Sequence, residues 1–145
     1  MDERMETSTG YLLVKLGGAA GGYFDRSTES LGLRPRHVRV LDRIRSDSLS
    51  QQDLCRLTGM DRTTMVAVLD DLERLGYARR EASPTDRRKH VVTPTDEGLA
   101  ALKEAAVLMR KAEVAFLAPL SATEQKQLNA LVSRLAEAGL PICET

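Results

Sequence analysis

Tryptophan is absent from this 145-residue chain, and only five other aromatics occur: Tyr11, Tyr23, Phe24, Tyr77 and Phe116. Proteins that hold single-stranded nucleic acid stack bases on aromatic side chains, so this scarcity argues against that mode of binding. The two cysteines, Cys55 and Cys143, are too few for a disulfide framework, and neither stands in a Cys-x-x-Cys pair. No His/Cys/Asp/Glu group has metal-ligand spacing, and no cofactor is expected. No apolar run approaches the length of a membrane span. The opening MDERMETSTG is acidic and polar, without the apolar segment of a secretory signal, so a cytoplasmic protein is expected. The Gly-Gly-Ala-Ala-Gly-Gly run at 17–22 lacks both the preceding strand and the following Lys-Ser/Thr of a phosphate loop. With no nucleophile–His–acid set either, the chain is not expected to be an enzyme. Net charge is also missing, since 21 Lys/Arg balance 21 Asp/Glu. Indiscriminate coating of nucleic acid is thereby disfavoured.

That neutrality is unevenly distributed. Residues 31–50 carry five basic and two acidic side chains, and residues 76–95 again five against two. The first thirty residues hold three against five, and residues 96–145 five against seven. Positive charge is gathered mid-chain, as a surface facing DNA requires. A chain of this length fits one domain, which buries roughly 70% of its unfolded surface.

The stretch 61–97 organises the rest. Asp61 is a good N-cap, and Met65, Val68, Leu69, Leu72 and Leu75 form one apolar stripe at helical spacing. Gly76 stands at the C′ position, where a left-handed residue closes a helix, and Tyr77 can fold back on Leu72. The opposite face carries Arg62, Thr63, Asp70, Asp71 and Arg74. The helix alone leaves a solvated surface helix and a DNA-reading helix equally open. The segment downstream of it tips the balance. Residues 78–82 and 90–93 read as two short strands around the turn-rich Ser83-Pro84-Thr85-Asp86-Arg87-Arg88-Lys89. A basic-tipped hairpin directly behind such a helix is the pattern of a winged helix-turn-helix.

Upstream, residues 8–29 read as a helix whose Gly17, Gly18, Gly21 and Gly22 each cost about 1 kcal/mol relative to Ala. Either it breaks there or packing against a partner sustains it. Pro35 opens the next helix, with Val38, Leu41 and Ile44 on one face and Arg36, Arg39 and Arg43 on another. Ser50 and Asp53 form a capping box, with Leu49 and Leu54 as its hydrophobic staple. Thr58-Gly59-Met60 then turns the chain into Asp61, completing a helix-turn-helix. Beyond the hairpin, Thr95 caps a helix over 96–118 with Leu99, Leu102, Ala106, Met109 and Phe116 as its apolar face, stopped by Pro119. Ser121-x-x-Glu124 opens a last helix whose stripe is Leu128, Leu131, Val132 and Leu135, ending at Gly139. The terminal helices are more apolar than one small winged domain needs, which points to a dimer interface.

These residues resemble the MarR family of transcriptional regulators over roughly residues 10–139. Asp86-Arg87-Arg88 is similar to the family's D-x-R wing signature, and Thr95-x-x-Gly98 comes after it. Asp61-Arg62-Thr63-Thr64 and Leu72-Glu73-Arg74-Leu75-Gly76 resemble the two ends of its recognition helix. The resemblance implies a mainly α fold with a small β-hairpin wing. Residues 1–145 would form a single domain, with a winged helix-turn-helix over 33–95 and a helical dimerisation region from 8–30 and 96–139. It further implies a homodimer on an inverted-repeat operator in double-stranded DNA, no membrane, and a small-molecule effector acting on a repressor. Arg88 would enter the minor groove, and Asp86 would hold the wing tip in shape by pairing with an arginine. Pro94 departs from the pattern, and the second wing strand is expected to be shortened there.

Within that frame Arg62, Thr63 and Thr64 are assigned to base edges, and Arg87 and Lys89 to phosphates. Two alternatives stay open. One is thiol-based redox sensing through Cys55 or Cys143, although Cys55 beside Leu54 and Leu57 reads more simply as a small core residue. The other is a winged-helix protein-interaction module that does not bind DNA.

Overall fold

The computed structural model describes residues 5–139, so Cys143 lies outside the described residues. Two compact units divide between Ala112 and Glu113. In order, the elements are α1 (Thr9–Ser27), α2 (Pro35–Ile44), α3 (Gln51–Thr58), α4 (Arg62–Arg74), β1 (Ala78–Ala82), β2 (His90–Pro94), α5 (Asp96–Phe116) and α6 (Ala122–Glu137). The fold is mainly helical with one antiparallel hairpin, the winged helix-turn-helix expected from the sequence.

The core of the first unit is built on α4. Met65, Val68, Leu69 and Leu72 are fully buried, against α2, α3 and β1. Each contributes about 2 kcal/mol by leaving water. The caps fall where local chemistry places them. The Ser50 hydroxyl accepts the Asp53 N–H at 3.1 Å, and an Asp53 carboxylate oxygen accepts the Ser50 N–H at 3.2 Å. Asp61 accepts the Thr64 N–H at 2.7 Å. At the far end of α4, Gly76 is left-handed (φ 76°), and the Tyr77 N–H reaches back to the Leu72 carbonyl at 2.8 Å. Only a residue without Cβ adopts that φ at no cost.

Helix α1 is continuous through all four glycines, which decides between the two readings of that segment. Several expectations need correction. On α2 the buried face is His37, Val40, Leu41 and Ile44, with Val38 only half-buried. The stripe is displaced because a histidine counts as polar in a sequence, whereas here it is 3% exposed. On α5 the buried residues are Gly98, Ala101, Ala105 and Ala112, while Leu99 is 41% exposed and Ala106 is exposed. A seam of small residues faces the core, with Gly98 against Tyr77, and the larger apolar side chains flank the seam. Strand β2 is not cut short before Pro94, which pairs with Ala78. Pro94 occupies a non-hydrogen-bonded pair position. The Thr95 N–H carries the ladder on to the Tyr77 carbonyl at 3.0 Å, so the missing proline N–H costs no bond. Two residues before Pro94, the Val92 N–H donates to the Leu49 carbonyl at 2.7 Å.

In the second unit, Ser121 and Glu124 form the expected capping box on α6. Gln125 donates to the carbonyls of Leu117 and Leu120 at 3.1 and 3.0 Å, closing the turn that contains Pro119.

Among the described glycines, Gly98 has the least room for a side chain. A Cβ placed there would lie 1.9 Å from the Tyr77 carbonyl oxygen. Gly98→Ala is therefore expected to lower the unfolding free energy by about 3 kcal/mol, with a matching fall in urea midpoint. A midpoint unchanged from wild type would remove this constraint.

Candidate nucleic-acid interface

The first turn of α4 presents Arg62 and Thr63 to solvent, with Thr64 half-buried behind them. Asp61 holds that turn, and the Thr64 N–H it accepts keeps its carboxyl below the usual carboxylate range. The α3–α4 turn is secured from below. The buried Thr58 hydroxyl donates to the Leu54 carbonyl at 2.6 Å, and the Thr58 carbonyl accepts Arg39 at 2.6 Å. Arg39, one of three arginines on the polar face of α2, is thus a structural brace.

The wing loop spans residues 83–89. The Ser83 N–H donates to the Lys89 carbonyl at 2.8 Å, and the Lys89 N–H to the Asp86 carbonyl at 3.0 Å. Asp86 accepts the Arg88 N–H at 3.1 Å and lies 3.4 Å from its Nε. The Arg88 side chain itself is 92% exposed. Among the described residues, the side chains of Arg62, Arg87 and Lys89 have no hydrogen bond or ion pair. The two groups, Arg62–Thr64 and Arg87–Lys89, do not touch one another through any such bond. Both belong to the first unit.

Two clusters that orient these groups escaped the sequence reading. Arg80, counted there among the wing's basic residues, instead bridges to α4. Its guanidinium pairs with Asp70 at 3.0 Å and with Glu73, and its N–H donates to Glu73 at 3.0 Å. The acids on the polar face of α4 therefore fasten the hairpin to the helix. The second cluster is built on His37. The Arg34 N–H donates to its Nδ1 at 3.0 Å, so the opposite Nε2–H donates to Asp71 at 3.0 Å. Asp71 also accepts Arg74 at 3.2 Å. The histidine ties the start of α2 to the last turn of α4. Its carboxylate partner lies 34 residues away in sequence, and no local spacing marks the pair.

The bond from His37, and then that from Arg74, hold the Asp71 carboxyl below its ordinary range. A depressed carboxyl contributes stability above the unfolded value, about pH 4, and loses it as pH falls through the folded value. Asp71→Asn should thus lower the urea midpoint at pH 7 and flatten its decline as pH falls below about 4. An equally steep acid decline in the variant would show that this pair does not couple folding to protons.

The comparisons agree with this geometry. A sequence profile of the MarR family matches residues 31–89. An HTH-type transcriptional repressor of Mycobacterium tuberculosis is 31% identical over 127 residues, covering 87% of this chain and 91% of the relative. Matches to two further curated relatives, from Bacillus subtilis and Thauera aromatica, span 59% and 66% of their lengths. Among solved structures, a "probable transcriptional regulator" from Pseudomonas aeruginosa is 32% identical with a TM-score of 0.79, covering 91% of this chain and 99% of that one. The PcaV transcriptional regulator of Streptomyces coelicolor is 29% identical with a TM-score of 0.77, covering 91% and 97%. PcaV has also been solved in complex with its natural ligand. With the helix-turn-helix and wing in place and full-length relatives alike, the chain belongs to the MarR family of transcriptional regulators.

Proposed function

We propose that the chain is a homodimeric repressor that binds an inverted-repeat operator in double-stranded DNA and is released by a small-molecule effector. The observation that carries this reading is the distribution of unpaired cations. Arg80 and Arg39 are consumed by internal bonds, whereas Arg62 at the start of α4 and Arg87 and Lys89 at the wing tip are left without a side-chain partner. Arg36 and Arg43 are unpaired as well, but these three cations stand at a capped helix start and at a hairpin tip, where a duplex can reach them. In the proposed complex Arg62, Thr63 and Thr64 meet base edges in the major groove. Arg88 reads a narrow minor groove, and Arg87 and Lys89 hold phosphates. Asp86 keeps the tip in shape through the Arg88 N–H.

The dimer is supported by apolar faces on which no residue is fully buried in the single chain. Tyr11, Leu12, Leu13 and Leu16 on α1 are 41–52% exposed, and Leu128, Leu131, Val132 and Leu135 on α6 are 38–56% exposed. PcaV, a similar regulator, has been solved in complex with its natural ligand, and release of DNA by such a ligand is the step proposed for this chain. It requires an effector that binds better to a dimer whose two α4 helices do not match successive major grooves, about 34 Å apart. No described helix is long and apolar enough to cross a membrane, consistent with a protein working on DNA in the cytoplasm. The thiol-sensing alternative has less support. Cys55 has no basic side chain paired with it, whereas a redox-sensing thiol needs a neighbouring cation to hold its thiolate.

Three measurements test the proposal. Sedimentation velocity should give a dimer; a monomer at micromolar concentration sinks it. Arg88→Ala should weaken binding to a selected operator roughly tenfold, with melting temperature and dimer intact. Unchanged binding would take the wing out of the mechanism. Arg62→Ala should relax preference at one base pair per half-site, costing about 1–3 kcal/mol of discrimination. An identical selected motif for the variant would reject that role.

A further inference from the structure

A notch of about 780 Å³ opens between α3 and α4, lined by Gln51, Gln52, Cys55, Met60, Asp61 and Arg62. None of the DNA contacts assigned above uses it beyond Arg62. Its floor is apolar: Cys55 and Met60 are half-buried, each packed on one side against the hydrophobic core. Its walls are polar, and most of their side chains have no partner within the protein. Neither Gln51 nor Gln52 makes a side-chain hydrogen bond among the described residues, and Arg62 is unpaired. The remaining wall residue, Asp61, is committed to the Thr64 N–H and carries a negative charge, so a phosphate seated here would face a carboxylate. The notch thus suits a neutral edge that is part apolar and part hydrogen-bonding, directly beside the first residue of α4.

We infer that this notch reads the C5-methyl group of a thymine in the major groove, the methyl resting on Met60 and Cys55 with Gln52 bonding the adjoining base edge. The inference rests on the DNA-binding reading above and extends it to α3. Thymine alone among the bases offers that methyl, and a free carboxamide matches adenine N6 and N7. Gln52 rather than Gln51 takes the polar role because it is the more exposed of the two. Met60 and Cys55 become specificity-determining residues that touch no phosphate and carry no charge, so they leave non-specific affinity and its salt dependence unaltered.

The test uses the full chain and a duplex that it selects from a random library. Each thymine is replaced singly by deoxyuridine, which removes only the methyl. One thymine in each half-site should lose about fourfold in affinity, the worth of one buried methyl group. Met60→Ala should bind the thymine and uracil duplexes equally at that position, and Met60→Leu should retain the preference. Both variants should keep the wild-type affinity for scrambled DNA. The scan on the wild type stands by itself should Met60→Ala fail to fold. Uracil tolerated at every position, while the selected duplex is still preferred over a scrambled one, overturns the inference and leaves DNA reading intact. A methyl preference undiminished in well-folded Met60→Ala overturns it as well. So does a flat uracil scan with a loss on replacing one phosphate opposite the notch by methylphosphonate. Equal binding of selected and scrambled duplexes would refute sequence-specific reading itself, and this inference with it.

Discussion

The Tyr77 carbonyl oxygen occupies space that any side chain at position 98 would claim, and it also accepts the Thr95 N–H at 3.0 Å. Around it the Thr95 hydroxyl donates to the Gly76 carbonyl at 2.6 Å and accepts the Gly98 N–H at 3.0 Å. The Tyr77 hydroxyl reaches the Leu31 carbonyl at 3.0 Å. Four pieces of chain are thereby locked at one point: the end of α4, the start of β1, the end of β2 and the first turn of α5. The base-reading and groove-reading parts of the proposed interface leave this junction in different directions, α4 towards its N-terminus and the hairpin towards its tip. Their relative placement is therefore set far from either contact surface. Thr95-x-x-Gly98, visible in the sequence as a resemblance, has this physical content: a hydroxyl to satisfy two backbone groups and a missing Cβ to admit the carbonyl.

Charge is sorted by the same logic. Counted along the chain, residues 76–95 form a basic excess of three, but the arginines there do different jobs. Arg80 is 30% exposed and held by two acids of α4; Arg79 lies 3.6 Å from Glu81; Arg88 leans on Asp86. Arg87 and Lys89 are the two left unpaired in the hairpin. The acids Asp70 and Glu73 look like a liability on a DNA-reading helix until Arg80 is placed beside them. Exposed ion pairs contribute little singly, but a guanidinium held by two carboxylates and a backbone bond fixes an angle as well as an energy. The use of these acids is orientation, with the wing held at one attitude to α4.

The features legible in the sequence are those decided within four or five residues. The caps at Ser50, Asp61 and Ser121, the left-handed Gly76 and the apolar stripe of α4 all depend on nearest neighbours along the chain. The features that sequence misses depend on distant partners. The phase of α5 misleads because its buried seam is Gly and Ala, which carry little hydrophobic signal, while Leu99 beside it carries much. His37 gives no local sign of its role because Asp71 is far away in sequence. Pro94 suggests a shortened strand, and only the ladder's parity shows that its nitrogen needs no hydrogen. For the candidate site the residue types at the start of α4 and the wing tip are legible, whereas the brace of Arg80 and the notch beside Met60 are not.

The terminal helices supply the remaining step of the argument for a dimer. Helix α1 contains four glycines at 17, 18, 21 and 22, together costing about 4 kcal/mol relative to alanine, and none of its residues is buried. A Cβ at Gly17, Gly18 or Gly21 would meet nothing within 4 Å, so contacts within the chain do not explain why these positions are small. Helix α6 likewise buries none of its residues, though it carries a stripe of four large apolar side chains. Most of a helix's stability in a protein comes from packing of its apolar face rather than from propensity, and four glycines weaken the propensity of α1 further. Covering each exposed Leu or Val would return about 1 kcal/mol or more, enough across the two faces to offset the glycine cost. A second copy of the chain is the covering surface the proposed function already requires, because one half-site reader cannot by itself recognise an inverted repeat.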